Sequence, residues 1–262
     1  MGRLYHLEQT LPINLFNSSS FKEKEFIILN YNSKDALHDW AKNNLKEEVK
    51  KGTVKYYRTK IPEKFSATHA KNIAYRQATG DIICNLDADN FIMKDFCEYL
   101  HEIFQEPNVM FGSTSVDVNL SHGCCGKIAS KKEHFYAVGG YDEVQHLGWG
   151  WDDVSLRYRM EKQNNLKIIY GDAKWNRVIS HSNQERVRNF EIKDLEESKQ
   201  WSIDRLYKLS VLDSYVANKN KNFIKVNINN EILENYQVQG VVFTDIHHQV
   251  KYLISTNNNE SE

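Results

Sequence analysis

Two aspartates one residue apart, Asp87 and Asp89, follow the apolar run Ile82-Ile83-Cys84-Asn85-Leu86. The run reads as a buried strand, so Asp87-Ala88-Asp89 stands at a strand's carboxyl end, where paired carboxylates can hold a divalent cation beside a diphosphate. Magnesium and manganese take hard oxygen ligands and share their coordination among carboxylates, phosphate oxygens and water. Alone, an Asp-x-Asp triplet is ordinarily a polar strand end and nothing more. Two further elements give it weight. The segment Gly148-Trp149-Gly150-Trp151-Asp152-Asp153 sets an acidic pair behind two glycines and two indoles, and His181 follows the strand-like Val178-Ile179.

Each of these also has a plain structural reading. Asp152 and Asp153 precede a helical pattern and fit a cap that favours the helix dipole. A histidine at a strand end is ordinarily exposed or hydrogen-bonded. Trp149 and Trp151 fit core positions, with Trp151 expected to be the more buried. On the functional side, Trp149 offers a flat apolar face to a sugar ring, and Gly148 and Gly150 permit close approach or a closing loop.

The elements that must position these groups alternate. Phe26 to Leu29 is a short strand that breaks into Asn30-Tyr31-Asn32-Ser33. A helix follows through Ala36, Leu37, Trp40, Ala41, Leu45 and Val49, with Ser33 as its cap and Gly52 at its end. Val54 to Thr59 is the next strand, 66–78 the next helix, and 81–86 the strand before the aspartates. This βαβαβ order implies parallel strands with right-handed crossovers, and ligands then sit outside the strands' carboxyl ends. No Gly-x-Gly-x-x-Gly or Walker loop follows the first strand, which argues against a dinucleotide cofactor or a P-loop hydrolase. A diphosphate here would need a metal.

Downstream, the pattern predicts a helix over 94–104, an extended stretch over 109–118, a short helix over 131–137 and a helix carrying Leu156 and Met160. Lys167 to Tyr170 is a further strand. Charged helix is expected over 191–217, then β-like runs such as Val241-Val242-Phe243, and a disordered tail over 256–262. The expected organisation is a catalytic domain over 1–190 and a helical and β-like extension over 191–262.

With 34 basic and 35 acidic residues among 262, the net charge of -1 gives no field that would draw the chain to nucleic acid or an anionic membrane. Length and a 40% hydrophobic fraction suffice for one large α/β core. The start lacks the features of a secretory signal, and no apolar run reaches the roughly 20 residues of a membrane span, so the expected location is cytoplasmic. The four cysteines show no Cys-x-x-Cys or zinc spacing and are expected to be reduced.

Taken together, Asp87-Ala88-Asp89, Gly148 to Asp153 and His181-Ser182 resemble the ordered motifs of nucleotide-diphospho-sugar transferases. The likeness is to the GT-A fold and its inverting family 2 glycosyltransferases, with a later half similar to galactosyltransferase and polypeptide N-acetylgalactosaminyltransferase catalytic domains. It spans roughly Glu25 to Arg188. The fold implied is α/β and Rossmann-like, a mostly parallel sheet flanked by helices with a C-terminal helical and β-like extension. The resemblance makes Asp89 a metal ligand, brings Asp87 to the ribose or the metal, and makes His181 the further protein ligand. It makes Asp153 the catalytic base and sets Asp152 beside the acceptor, with Trp149 and Gly148 on the acceptor side and Gly126 near the donor sugar. Asn30, Tyr31, Asn32, Phe65, Asn72, Asp87 and Ala88 become the nucleotide contacts. An arginine common near the uracil is replaced, by Ala67 or Lys71, and a neighbouring glycine by Cys125. Arg58, His69 and Lys71 are candidates to offset phosphate charge.

The function so implied is transfer of a hexose or N-acetylhexosamine from a UDP-sugar, with Mn2+ or Mg2+, to a saccharide acceptor such as a cell-surface polysaccharide or lipid-linked oligosaccharide. Inversion calls for one carboxylate to deprotonate the acceptor while the sugar carbon gains oxocarbenium character. Three alternatives stay open: transfer to a peptide side chain, a sugar-nucleotide hydrolase or nucleotidyltransferase, and a non-catalytic carbohydrate-binding relative. Peripheral membrane or synthase-complex association and oligomeric state stay open too.

Overall fold

The computed structural model describes residues 1–60, 63–113, 123–143 and 148–202. Helix α1 (Leu4–Asn17) leads into strand β1 (Phe26–Tyr31), helices α2 (Leu37–Asn44) and α3 (Lys46–Lys50), and strand β2 (Val54–Thr59). Next come α4 (Ala67–Gln77), β3 (Ile82–Cys84), α5 (Phe96–Ile103), β4 (Val109–Gly112) and β5 (Ile128–Lys131). The series closes with α6 (Lys132–Ala137), α7 (Asp152–Asn164), β6 (Lys167–Tyr170) and α8 (Asn183–Val187). Residues 195–202 are helical. The expectations for 114–118 and for everything after 202, including the β-like runs and the tail, lie outside the described residues.

β1 and β2 pair in parallel from Phe26↔Val54 to Tyr31↔Thr59, as the crossover through α2 and α3 requires. The second sheet runs β3-β5-β4-β6, and here the expectation of a mostly parallel sheet is corrected. β5 is antiparallel to both β3 and β4, and only β4 and β6 are parallel. Helical alternation dictates direction only where a helix makes the crossover. β5 lies between β3 and β4 and runs opposite to both.

Successive side chains of a strand face opposite ways, and this sheet separates two cores accordingly. Met110 and Ile128 join Tyr75, Ile83, Phe135, Leu156 and Met160 on one face. Val109, Phe111 and Ala129 join Phe96, Leu100, Phe104 and Trp175 on the other. A third cluster, Leu11, Ile28, Ala41, Leu45, Val54 and Tyr56, packs α1 and α2 on the small sheet.

Helix α1 has no counterpart in the sequence reading. Its interior carries Pro12, a breaker signal, and its buried residues are His6, Thr10, Leu11 and Asn14, so no apolar stripe announces it. Two local expectations also change. The helix expected from Ala36 to Val49 divides at Leu45 into α2 and α3, and Ser33 does not cap it. Asp35 does that work: its Oδ1 accepts from Leu37 N at 3.2 Å and its Oδ2 from Leu4 N at 3.0 Å, so one carboxylate serves the starts of two helices. The helix expected over 66–78 is present as α4, and Ser66 caps it, its Oγ accepting from His69 N at 3.2 Å.

Candidate functional site

The carboxyl ends of β1 and β3 open into a cleft whose lining includes Tyr31, Phe65, Lys71, Asp87, Ala88, Asp89, Gly126, Gly148, Trp149, Asp152, Asp153 and His181. Past β3 the chain turns at Asp87 to Asn90. Asn85 steadies the turn, its Nδ2 donating to Asp87 Oδ1 at 3.0 Å and to Gly126 O at 2.9 Å. Gly126 is needed for this closeness, because a Cβ there would lie 2.7 Å from Asp87 Oδ2.

His181 reaches the turn from far along the chain. Phe91 N donates to Arg177 O and Ile179 N to Asp89 O, each at 2.9 Å, and Asn90 bridges Val178. Lys127 Nζ, buried, donates to Phe91 O at 3.1 Å and Trp175 O at 2.7 Å and ties the same two segments from beneath. The result is His181 Nε2 hydrogen-bonded to Asp89 Oδ2 at 2.7 Å. Burial works to raise the Asp89 carboxyl, but hydrogen bonds from His181 and Asn90 together with nearby Arg3 hold it below the usual carboxylate range. Among the described residues no three His, Cys, Asp or Glu groups close up as a self-sufficient metal cage. A carboxylate and an imidazole in contact, with Asp87 two residues away, fit a cation that completes its coordination with diphosphate oxygens and water.

At the other end of the cleft, Trp151 takes the left-handed conformation (φ 64°) as N-cap of α7 and turns the chain so that Asp152 and Asp153 open the helix. Neither aspartate is the cap residue. Lys71 Nζ binds Asp152 Oδ2 at 2.6 Å and stands 4.9 Å over the Tyr141 ring. The two acids are thereby made unequal. Asp152 is paired, whereas burial and then repulsion from Asp152 raise the Asp153 carboxyl above its usual range, with Lys71 and Arg157 pulling the other way. A carboxylate of raised pKa at the edge of a cleft is suited to take a proton.

Trp151 is 38% exposed and not the more buried indole, because the turn that starts α7 points it outward. Trp149 is the anchored one. Its backbone N–H donates to Ser198 Oγ, its backbone carbonyl accepts from Ser202 Oγ at 3.4 Å, and Arg186 lies 5.2 Å from its ring centre. Gly148 passes so near Ser198 that a Cβ would meet Ser198 O at 2.5 Å. Contacts therefore cross position 190, the boundary expected between catalytic domain and extension.

Several nucleotide candidates are redirected. Asn30 is buried, donating to Tyr56 Oη at 2.9 Å and accepting from Ser33 N at 2.9 Å. Asn72 is buried and clasps the 141–143 turn, donating to Tyr141 O and Glu143 Oε1 and accepting from Tyr141 N. Both amides bond to protein groups, and neither is among the residues that line the cleft. Asn32, at φ 46°, is buried and accepts from Lys34 Nζ at 3.0 Å. Tyr31 lines the cleft with Phe65 edge-on to it, ring centres 5.8 Å apart, while its hydroxyl bonds His69 Nδ1 at 2.6 Å. Ala88 contributes its carbonyl to Thr10 Oγ1 at 2.7 Å. His69 cannot offset phosphate charge, since burial takes its pKa down to about 3 and leaves it neutral.

Arg3 and His6, at the head of α1, were not singled out in the sequence. Arg3 lines the cleft, and the His6 ring stands edge-on to His181 with centres 5.5 Å apart. Neither belongs to a recognisable spacing pattern, and only the fold of α1 across the aspartate turn brings them in.

The family described as Glycosyl transferase family 2 matches residues 9–123. No curated protein sequence matches the chain. Among solved structures, two of Drosophila β-1,4-galactosyltransferase 7 share 15% identity with it, each covering 68% of this chain and 79% of its own. One is a mutant in complex with manganese, UDP-Gal and xylobiose (TM-score 0.42), the other the catalytic domain with xylobiose (TM-score 0.43). Among the described residues no helix is long and apolar enough to cross a membrane.

Proposed function

We propose that this chain, a family 2-like glycosyltransferase of the GT-A fold, moves a hexose or N-acetylhexosamine from a UDP-sugar to a saccharide hydroxyl with inversion at the sugar carbon. The observation that carries the reading is one cleft with a carboxylate–imidazole pair, Asp89 and His181, at one end and a carboxylate of raised pKa, Asp153, at the other. The two ends correspond to the two halves of a single displacement, leaving-group departure and nucleophile deprotonation.

Asp153 accepts the proton of the acceptor hydroxyl as that oxygen bonds to the sugar carbon and the bond to the diphosphate oxygen breaks, releasing UDP. Asp152, held by Lys71, is the neighbouring acceptor contact. Phe65, backed by the buried Tyr31, offers the aromatic wall for the base, Asp87 the ribose or phosphate side, and Trp149 a flat face for a sugar. Asp89 and His181, with Asp87 beside them, are the residues that would hold Mn2+ or Mg2+. Such a cation supplies Lewis-acid stabilisation of the departing diphosphate.

A donor screen tests this: purified protein with manganese and a panel of UDP-sugars, UDP release being read first alone and then with saccharide acceptors. The expected result is one donor whose UDP release accelerates with acceptor. Absence of UDP release from every donor, together with no UDP binding, overturns the reading. Acceleration by peptides but not by saccharides reassigns the acceptor.

A further inference from the structure

The head of α1 forms a wall of the cleft at the end where the diphosphate of the proposed reaction would lie. Thr10 Oγ1 donates to Ala88 O at 2.7 Å, Asn14 Nδ2 to Asn90 O at 3.1 Å, and Asn14 Oδ1 accepts from Ile92 N at 2.7 Å. Three side-chain bonds thus fix the helix to the turn that carries Asp87 and Asp89. Arg3 precedes the helix and is among the residues that line the cleft. One guanidinium nitrogen donates to Glu185 O at 3.0 Å, which orients the group, and Asp89 and Asp87 both act on its charge.

Charge balance says what such a group is for. Two carboxylates and one divalent cation cancel, so the negative charge that develops on a departing diphosphate needs a further cation. Lys71 is bound to Asp152, and Asp152, Asp87 and Asp153 all draw on its charge, so it is already committed to carboxylates. A guanidinium has five donors in a rigid fork suited to phosphate oxygens, and the bond to Glu185 uses one of them. We infer that Arg3 is a leaving-group-binding residue, donating to the diphosphate of the nucleotide from outside the segment matched by the family, which begins at residue 9. This rests on the proposed use of a nucleoside diphosphate sugar.

The test is calorimetry of UDP and of UMP with manganese, on the wild type, Arg3→Met and Arg3→Lys. Arg3→Met is expected to lose about tenfold to a hundredfold in UDP affinity, as for a hydrogen-bonded charge, with UMP much less affected and the melting temperature unchanged. Arg3→Lys is expected to recover part of the loss. Two results overturn the assignment: UDP affinity in Arg3→Met equal to wild type, or equal losses for UDP and UMP with a lowered melting temperature, which marks a clasp on Glu185 only. Wild-type protein that binds no UDP sinks the functional reading and Arg3's role together. Wild-type binding indifferent to Arg3 sinks the second alone.

Discussion

His181 Nε2 lies 2.7 Å from Asp89 Oδ2 although 92 positions separate the two residues. The backbone bonds between 89–91 and 177–179 produce this pairing, so replacing either side chain leaves the lacing in place. Asp89→Ala and His181→Ala are each expected to keep the melting temperature and to weaken manganese-dependent UDP binding by about tenfold to a hundredfold. Calorimetry with and without manganese measures it. Unchanged affinity with metal present removes the residue from the ligand set.

Asp153→Asn is expected to bind the donor normally while turnover falls by roughly a hundredfold to ten-thousandfold, the range for losing a general base. Steady-state kinetics beside equilibrium UDP binding separates the two effects. Turnover close to wild type would exclude Asp153 as the base.

The raised pKa of Asp153 has a definite sign in the pH profile. A base must be ionised, so kcat/KM is present above that pKa and falls as pH drops through it, with the acid limb above the ordinary carboxylate range. Lys71 opposes the rise. Lys71→Met should therefore move the acid limb to higher pH and Lys71→Arg should largely restore it. An acid limb indifferent to both changes contradicts the coupling.

Glu143 is buried against Asn72, and burial lifts its carboxyl from 4.5 to about 7. A carboxyl whose folded pKa is raised stabilises the fold fully below the unfolded value, and that contribution is lost as pH rises through the folded one. Between pH 4.5 and about 7 the wild type should lose on the order of 3 kcal/mol relative to Glu143→Gln. Urea unfolding of both proteins at about pH 5 and about pH 8 reads the difference. A gap that does not change with pH would show that Glu143 does not titrate in this window.

What could be read in advance was governed by local pattern. Asp87 and Asp89 were legible because an apolar strand ending in two carboxylates is a local signal, and the ordered motifs brought in Asp153 and His181, which share their cleft. The protein partners of Asn30 and Asn72 were not legible because an amide looks the same in sequence whether it meets a nucleotide, a tyrosine hydroxyl or a backbone group. α1 escaped because its buried face is largely polar: His6, Thr10 and Asn14 are buried, and Thr10 and Asn14 hold the turn through hydrogen bonds. The direction of β5 escaped because the residues before it, Gly123 to Lys127, carry no periodic pattern that fixes a crossover. Arg3 had no pattern at all, since its role depends on where a distant helix comes to rest.

The backbone stitching of 177–179 to 89–91 makes position 181 a fixed address. Whatever side chain is encoded there is delivered to the same place, with no refolding around it. On the proposed ligand set, preference among divalent ions becomes a matter of donor softness at this one position: an imidazole admits manganese, an aspartate would lean toward magnesium, and a thiolate toward zinc. Relatives with other metal habits could arise from this scaffold by single substitutions.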